Sequence, residues 1–202
     1  MNLYDIMQDE YADSSEKRLV MPITDINKIN KMAGILHAQK HGERNYLLFI
    51  IGVNTGMKIS DYSVMTVGQF REICKQGYIE FNSTEEGKGI RLDISDNLKE
   101  AITKYIDGRE DSEYMFPSNK GGTPIKRQTI WLILNNAAIE AGIEESLGAH
   151  SLRKTFGYWH YKQNHNAKML MEILQQNSEE ATLKYIGINT ENMKDNMSLG
   201  IV

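Results

Sequence analysis

The sequence predicts a mainly α fold with one small antiparallel β-sheet, an α+β arrangement. Apolar residues recur at helical spacing over most of the chain, and only two short runs alternate between apolar and polar residues. Of the 202 residues, 41% are hydrophobic and 25% are charged, as is normal for a globular protein. The chain is long enough to bury a core of its own.

The first helices are predicted from caps and apolar spacing. Thr24 or Asp25 can cap a helix whose apolar face comprises Ile26, Ile29, Met32 and Leu36. A second helix runs through "ERNYLLFIIGVNTG" and stops at Gly56, and a short helix follows in "KISDYSVM". "FREICKQG" is a further helix with Cys74 on its apolar side, where a buried, inert thiol is expected.

The sheet is predicted from "GYIEF" and "GIRLDIS", which flank "NSTEEGKG" and form a hairpin. "SDNLKEAITKYIDGR" is a helix with an N-terminal Ser-Asp cap, and "YMFPSNKGGTPIKRQT" is a loop that could contain a strand. "QTIWLILNNAAIEAGI" is a helix that ends at Gly142. Three more helices are predicted in "HSLRKTFGYWHYKQN", "AKMLMEILQQN" and "SEEATLKYI".

Composition narrows the class of protein. The longest apolar run, "YLLFIIGV", is far shorter than the ~20 residues of a membrane span, so no membrane partner is expected. The acidic N-terminus lacks a signal-peptide core, and a single cysteine excludes an internal disulfide. A cytoplasmic location is therefore expected.

The net charge of −4 argues weakly against nucleic acid as a partner, but the charge is unevenly distributed. Between Ser118 and His165 there are six Lys or Arg residues against three Glu, a local net of +3. A basic surface on a mildly acidic protein is therefore predicted.

Within that basic stretch, His150 and Arg153 are three residues apart and share a helical face. Arginine can donate a bidentate pair of hydrogen bonds to phosphate, and histidine can exchange a proton near neutral pH. Lys154 lies one position further round the helix. Taken alone, the spacing favours a capping histidine and two solvated cations, because such spacing is common by chance.

The stretch "HSLRKTFGYWHY", followed by "EILQQNSEEATLKYIGI", resembles the tyrosine recombinases, or phage integrases. Tyr185 falls at the position of that family's nucleophile, 32 residues after Arg153. "GVNTGMKISDYSVMTVGQF" resembles an upstream family segment, with Lys58 where arginine is usual. The resemblance extends over residues 22–188 and includes the hairpin and the segment that follows it.

The resemblance implies a site-specific recombinase of the kind that mobile elements carry, which breaks and rejoins DNA through a 3′-phosphotyrosyl intermediate. It implies Tyr185 as nucleophile, Arg153 and Lys58 as the phosphate clamp, and His150 as an aid to proton transfer. No nucleotide cofactor is expected, because the covalent link conserves the energy of the phosphodiester, and the predicted site includes no metal. The DNA contacts expected around this site are Lys154, Lys126, Arg127 and Lys120.

Three positions depart from the family pattern. Besides Lys58, Glu85 aligns with the hairpin lysine that protonates the leaving hydroxyl, and Lys88, three residues on, is the candidate substitute. Gln176 replaces a second active-site histidine or tryptophan and could still offer a hydrogen bond. Because loss of one such group typically costs ~10²–10³ in rate, a catalytically impaired DNA-binding or regulatory protein stays open as an alternative. The net charge of −4 leaves open a second alternative, a helical interaction protein without a nucleic-acid role.

The expected organisation is an N-terminal arm (1–21), a catalytic domain (22–188) and a C-terminal tail (189–202). The expected partners are double-stranded DNA and, on DNA, either further copies of the chain or a partner recombinase. His37 and His41 have the spacing of a metal pair, but no third ligand is evident, so a solvated helix face is favoured.

Overall fold

The structure is a computed structural model and describes residues 20–82, 89–145, 147–148 and 150–188. Within these ranges the chain forms α1 (Ile26–Ala38), α2 (Gly42–Thr55), α3 (Ile59–Tyr62), α4 (Val67–Gln76), β1 (Tyr78–Phe81), β2 (Ile90–Asp93), α5 (Asp96–Ile106), α6 (Arg127–Ala141), α7 (Ser151–Asn164), α8 (Ala167–Ile173) and α9 (Glu179–Tyr185). The predicted mainly α fold with one small antiparallel sheet is confirmed.

Helix α1 begins at the predicted cap, where the Asp25 side chain accepts a hydrogen bond of 2.8 Å from the Asn27 N–H. Ile29, Met32 and Leu36 are buried, and α1 packs against α2 and α6. Ile26, predicted for the same apolar face, is instead 47% exposed. It is the first residue of the helix, and its side chain lies beyond the area that the neighbouring helices cover.

Helix α2 ends at Gly56, as predicted, because Gly56 adopts a left-handed conformation with φ of +66°. A Cβ atom at this position would lie 2.5 Å from the ring of Phe156 on α7. Both the backbone conformation and this close contact therefore require glycine. The short helix α3 is fixed to α2 by the buried Tyr62 hydroxyl, which donates to the Leu48 carbonyl at 2.7 Å.

The predicted hairpin pairs β1 with β2 in antiparallel register, from Tyr78 opposite Asp93 to Phe81 opposite Ile90. One face of the hairpin is buried through Ile79 and Leu92. The tip of the hairpin, with Glu85 and Lys88, lies outside the described residues.

The segment between α5 and α6 contains no regular strand among the described residues. Its extended positions form two isolated bridges, Thr66 with Tyr114 and Pro117 with Pro124. The second bridge closes a tight turn that carries Lys120. The possible strand in this loop is therefore reduced to single bridging pairs.

The core has two hydrophobic clusters, and α7 belongs to both. Leu152 packs in the larger cluster, formed mainly by α1 to α6, while Phe156 and Tyr161 pack in the smaller one. The smaller cluster also contains residues from β2, α8, α9 and the chain beside them, namely Leu92, Ala167, Leu170, Ile173, Leu174, Leu183 and Ile186. Helix α7 is therefore held on two sides, which fixes the position of its N-terminal end.

Two features are absent from the described residues. None of their helices is long and apolar enough to cross a membrane, and they contain no group of three metal-ligating side chains.

Cys74 is buried, and burial raises the pKa of its thiol, which keeps it in the unreactive protonated form.

We expect Gly56→Ala to destabilise the protein more than Gly77→Ala does. Gly77 also ends a helix with positive φ, but open space surrounds its Cβ position. Both variants force alanine into the left-handed region, at about 1–2 kcal/mol, and only Gly56→Ala adds a clash with Phe156. Urea unfolding of both variants measures the difference, and equal losses would contradict the role given to the Phe156 contact.

Candidate active site

Arg153 is the buried centre of the site. It lies on the first turn of α7 with only 5% of its surface exposed. Its guanidinium donates to the backbone carbonyls of Gly56, at the end of α2, and of Ile173, at the end of α8, the latter at 3.2 Å. Burial lowers the pKa of Arg153, while the nearby charge of Asp61 acts in the opposite direction. Arginine remains charged at neutral pH, so a fixed cation lies beneath the surface.

Tyr185 is the last residue of α9, and its side chain is half-buried. Its hydroxyl oxygen lies 3.4 Å from Nδ1 of His150, and the two rings meet edge to face. Burial raises the pKa of Tyr185, although the charge and hydrogen bond of Arg153 act to lower it. The hydroxyl is therefore protonated at neutral pH and needs a proton acceptor before it can act as a nucleophile.

His150 lies at the N-cap of α7, where its backbone is already near the helical region. Burial lowers its pKa, and the positive charges of Arg153, Lys154, Arg127 and Lys58 lower it further. The imidazole is therefore neutral at pH 7 and can accept a proton at a nitrogen that bears none. The same four charges show that cations surround this histidine.

Lys58 is exposed at the N-cap of α3, and its ammonium donates to Oε1 of Gln175 at 3.2 Å. Gln175 follows α8 with a φ of +52°, which turns its side chain toward Lys58. The amide of Gln176, the predicted member of the pair, instead donates to the carbonyl of Leu174. Gln175 is thus a site residue that sequence reasoning missed, and only the left-handed backbone after α8 distinguishes it from its neighbour.

The four predicted DNA contacts lie in different surroundings. Arg127, the first residue of α6, is exposed and close enough to His150 for its charge to lower the pKa of that histidine. Lys126 and Lys120 are exposed on the preceding N-cap and on the turn. Lys154 differs from these three, because its ammonium donates to the carbonyl of Val20 at 2.6 Å.

Taken together, the structure brings Lys58, His150, Arg153 and Tyr185 to one location and adds Gln175 and Arg127. Lys88 lies outside the described residues, so its predicted role stays a prediction. The assembled groups combine fixed cations, a protonated phenol and a neutral imidazole. Such a set can bind an oxyanion and remove a proton from the phenol, the two requirements for tyrosine attack on a phosphodiester.

Comparison with known proteins identifies relatives over most of the chain. The model of the phage integrase family matches residues 22–192. The probable integrase/recombinase YoeC of Bacillus subtilis (strain 168) is 32% identical over 173 residues, covering 86% of this chain and 92% of YoeC. Tyrosine recombinase XerD of Corynebacterium glutamicum is 22% identical, covering 95% of this chain and 66% of XerD. The chain thus spans nearly all of one relative and slightly under two thirds of the other.

Solved structures share the fold. The crystal structure of XerA recombinase superimposes with a TM-score of 0.68 at 15% identity, covering 94% of this chain and 68% of XerA. XerH recombinase bound to its difH substrate superimposes with a TM-score of 0.60 at 16% identity, covering 93% of this chain and 56% of XerH. The fold and the family match agree with the resemblance found in the sequence: this chain belongs to the phage integrase family and has the fold of the tyrosine recombinase catalytic domain.

Proposed function

We propose that this protein is a DNA-binding, integrase-like site-specific recombinase that uses Tyr185 as its nucleophile. The observation that carries the proposal is the position of the Tyr185 hydroxyl, 3.4 Å from Nδ1 of His150 and beside the buried cation Arg153. The DNA-bound state of relatives such as XerH supports double-stranded DNA as the partner.

In the first chemical step, the Tyr185 oxygen attacks the phosphorus of a DNA phosphodiester. The bond from this oxygen to phosphorus forms as the bond to the 5′ oxygen breaks, which leaves a 3′-phosphotyrosyl link and a 5′-hydroxyl. The phenolic proton passes to Nδ1 of His150, which lies 3.4 Å from the Tyr185 hydroxyl oxygen. The 5′ oxygen must gain a proton as it leaves, and Lys88 stays the predicted donor.

The cations stabilise the negative charge that builds up on the phosphoryl oxygens. Arg153 is preorganised, because backbone carbonyls of two helices already fix its guanidinium before DNA binds. Lys58 and Arg127 are exposed and can reach a phosphate from the solvent side. Loss of one preorganised group of this kind typically lowers the rate by about 10²–10³.

In the second step, a 5′-hydroxyl from another strand attacks the phosphotyrosyl link and releases Tyr185. Because the phosphorus keeps two ester bonds throughout, the step needs no nucleotide and no oxidant. Strand exchange requires a second active site, so self-association on DNA or a partner recombinase belongs to the proposal.

A catalytically impaired DNA-binding or regulatory protein is the alternative on the same fold. The residue that motivates it is Lys58, since a lysine ammonium lacks the planar pair of donors that arginine offers to a phosphate. Retained DNA binding without covalent chemistry would distinguish the alternative.

Covalent trapping tests the nucleophile. Wild-type protein incubated at low salt with nicked suicide DNA should give a protein–DNA band that resists denaturation, and Tyr185→Phe should give none. Low salt favours binding that depends on phosphate contacts. Tyr105→Phe is the matched control, because Tyr105 is also partly buried but lies on α5, and it should trap normally.

A band that persists in Tyr185→Phe would exclude Tyr185 as the nucleophile. A gel shift by the wild-type protein without any band, under conditions where an active recombinase traps normally, would support the regulatory alternative.

The rate of adduct formation should depend on the ionisation of His150. Since burial and four nearby cations hold the pKa of His150 below 6.5, we expect the rate to fall as the pH is lowered through this pKa and to reach a plateau above it. His150→Gln should be about 10²–10⁴-fold slower and flat between pH 5 and 8. Single-turnover trapping at constant ionic strength measures both, and a wild-type rate that rises toward acid would contradict the role of His150.

A further inference from the structure

Residues 20–23, which we call the N-terminal strap, lie along one side of α7. The Ile23 N–H donates to the Thr155 hydroxyl at 2.9 Å, and the Trp159 indole donates to the Ile23 carbonyl at 3.0 Å. The Val20 carbonyl accepts from the Lys154 ammonium at 2.6 Å. Three hydrogen bonds between the strap and two successive turns of α7 therefore hold the strap.

The strap also contacts the chain beside both His150 and Tyr185. A methyl group of Val20 lies 2.9 Å from the position that a Cβ atom would take on Gly148, two residues before His150. On the other side, Pro22 lies 3.5 Å from the corresponding position on Gly187, two residues after Tyr185. The strap thus bridges the two segments whose side chains meet in the site.

Lys154 connects the strap to the nucleophile itself. Its ammonium bonds to Val20 and lies 4.9 Å from the centre of the Tyr185 ring. The side chain is partly buried, so its partners determine where the ammonium rests more strongly than they would for an exposed lysine. A carbonyl on one side and the face of an aromatic ring on the other define one position for it.

We propose that Lys154 is a positioning residue that joins the N-terminal strap to the Tyr185 ring and keeps the Tyr185 hydroxyl facing His150. This role replaces the phosphate contact that the sequence suggested for Lys154, and it rests on the proposed function for its effect on rate. To reach a phosphate, the ammonium would have to give up its 2.6 Å hydrogen bond to Val20 and its place over the ring.

The location of Tyr185 makes such support necessary. It is the last residue of α9, a helix of seven residues, and helix ends fray easily. The buried Ile186 anchors the backbone on one side of Tyr185. Lys154 and His150 both contact its ring, and Arg153 forms a hydrogen bond with its hydroxyl.

Four variants of the full chain test the proposal. Lys154→Met removes the charge, and Lys154→Arg keeps it. Thr155→Val removes the hydroxyl that holds Ile23 but leaves Lys154 in place. Lys162→Met is the matched control, because Lys162 lies on the same helix with its ammonium over the ring of Tyr158, away from the site.

Three quantities are measured for each variant: the salt dependence of DNA affinity, the rate of adduct formation at saturating DNA, and the ¹³Cζ signal of Tyr185 in the free protein, assigned with Tyr185→Phe. For Lys154→Met we expect a rate about 10- to 100-fold lower, since small misplacements of a reacting group have effects of this size. DNA affinity and its salt dependence should stay unchanged, and the Tyr185 signal should move.

We expect Lys154→Arg to recover most of the rate, Thr155→Val to move the Tyr185 signal in the same direction as Lys154→Met, and Lys162→Met to match the wild type. A phosphate contact would instead lower the salt slope by about 1 with the saturated rate unchanged, and that result would overturn the proposal. If the wild type forms no adduct, the proposed function fails, and the Tyr185 signal alone decides the positioning role. An unchanged signal in Lys154→Met would overturn that role.

Discussion

The structure of the site depends on how a buried guanidinium is satisfied. Removing the charge of Arg153 from water is costly unless its N–H groups find acceptors. Two of them do so at the carbonyls of Gly56 and Ile173, which end α2 and α8. Because α7 carries Arg153, this one side chain fixes three helices relative to one another. Gly56 allows the arrangement, since a Cβ atom there would push Phe156 and α7 away.

The secondary structure could be predicted from sequence because its signals are local. Asp25 and Ser95 cap their helices through their own side chains, and Gly56 and Gly142 end helices because glycine adopts positive φ without strain. The hairpin could likewise be predicted from the local alternation of apolar and polar residues. Tyr185 was predicted by another route, since no local rule distinguishes it from a core tyrosine and only its place in a family pattern does so.

The parts that could not be predicted depend on tertiary contacts. Gln175 and Gln176 are chemically identical, and the backbone conformation after α8 decides which side chain turns toward Lys58. Lys154 is adjacent to Arg153 in sequence, yet its ammonium turns to a segment more than 130 residues earlier. Ile26 fits the helical period but lies beyond the covering helices. In each case the deciding neighbour is distant in sequence or depends on one φ angle.

Cations are concentrated at the site although the chain has a net charge of −4. This concentration follows from the same constraint, that a cation removed from water needs hydrogen-bond acceptors. A cationic site retains its attraction for phosphate only if carboxylates do not neutralise it at short range. Carbonyl oxygens hold Arg153 and Lys154, and an amide oxygen holds Lys58, so each gains an acceptor without losing its charge. Burial lowers the pKa of His150, and these charges lower it further. In the proposed function, the arrangement that attracts an anionic substrate therefore also leaves the imidazole free to accept the proton of Tyr185.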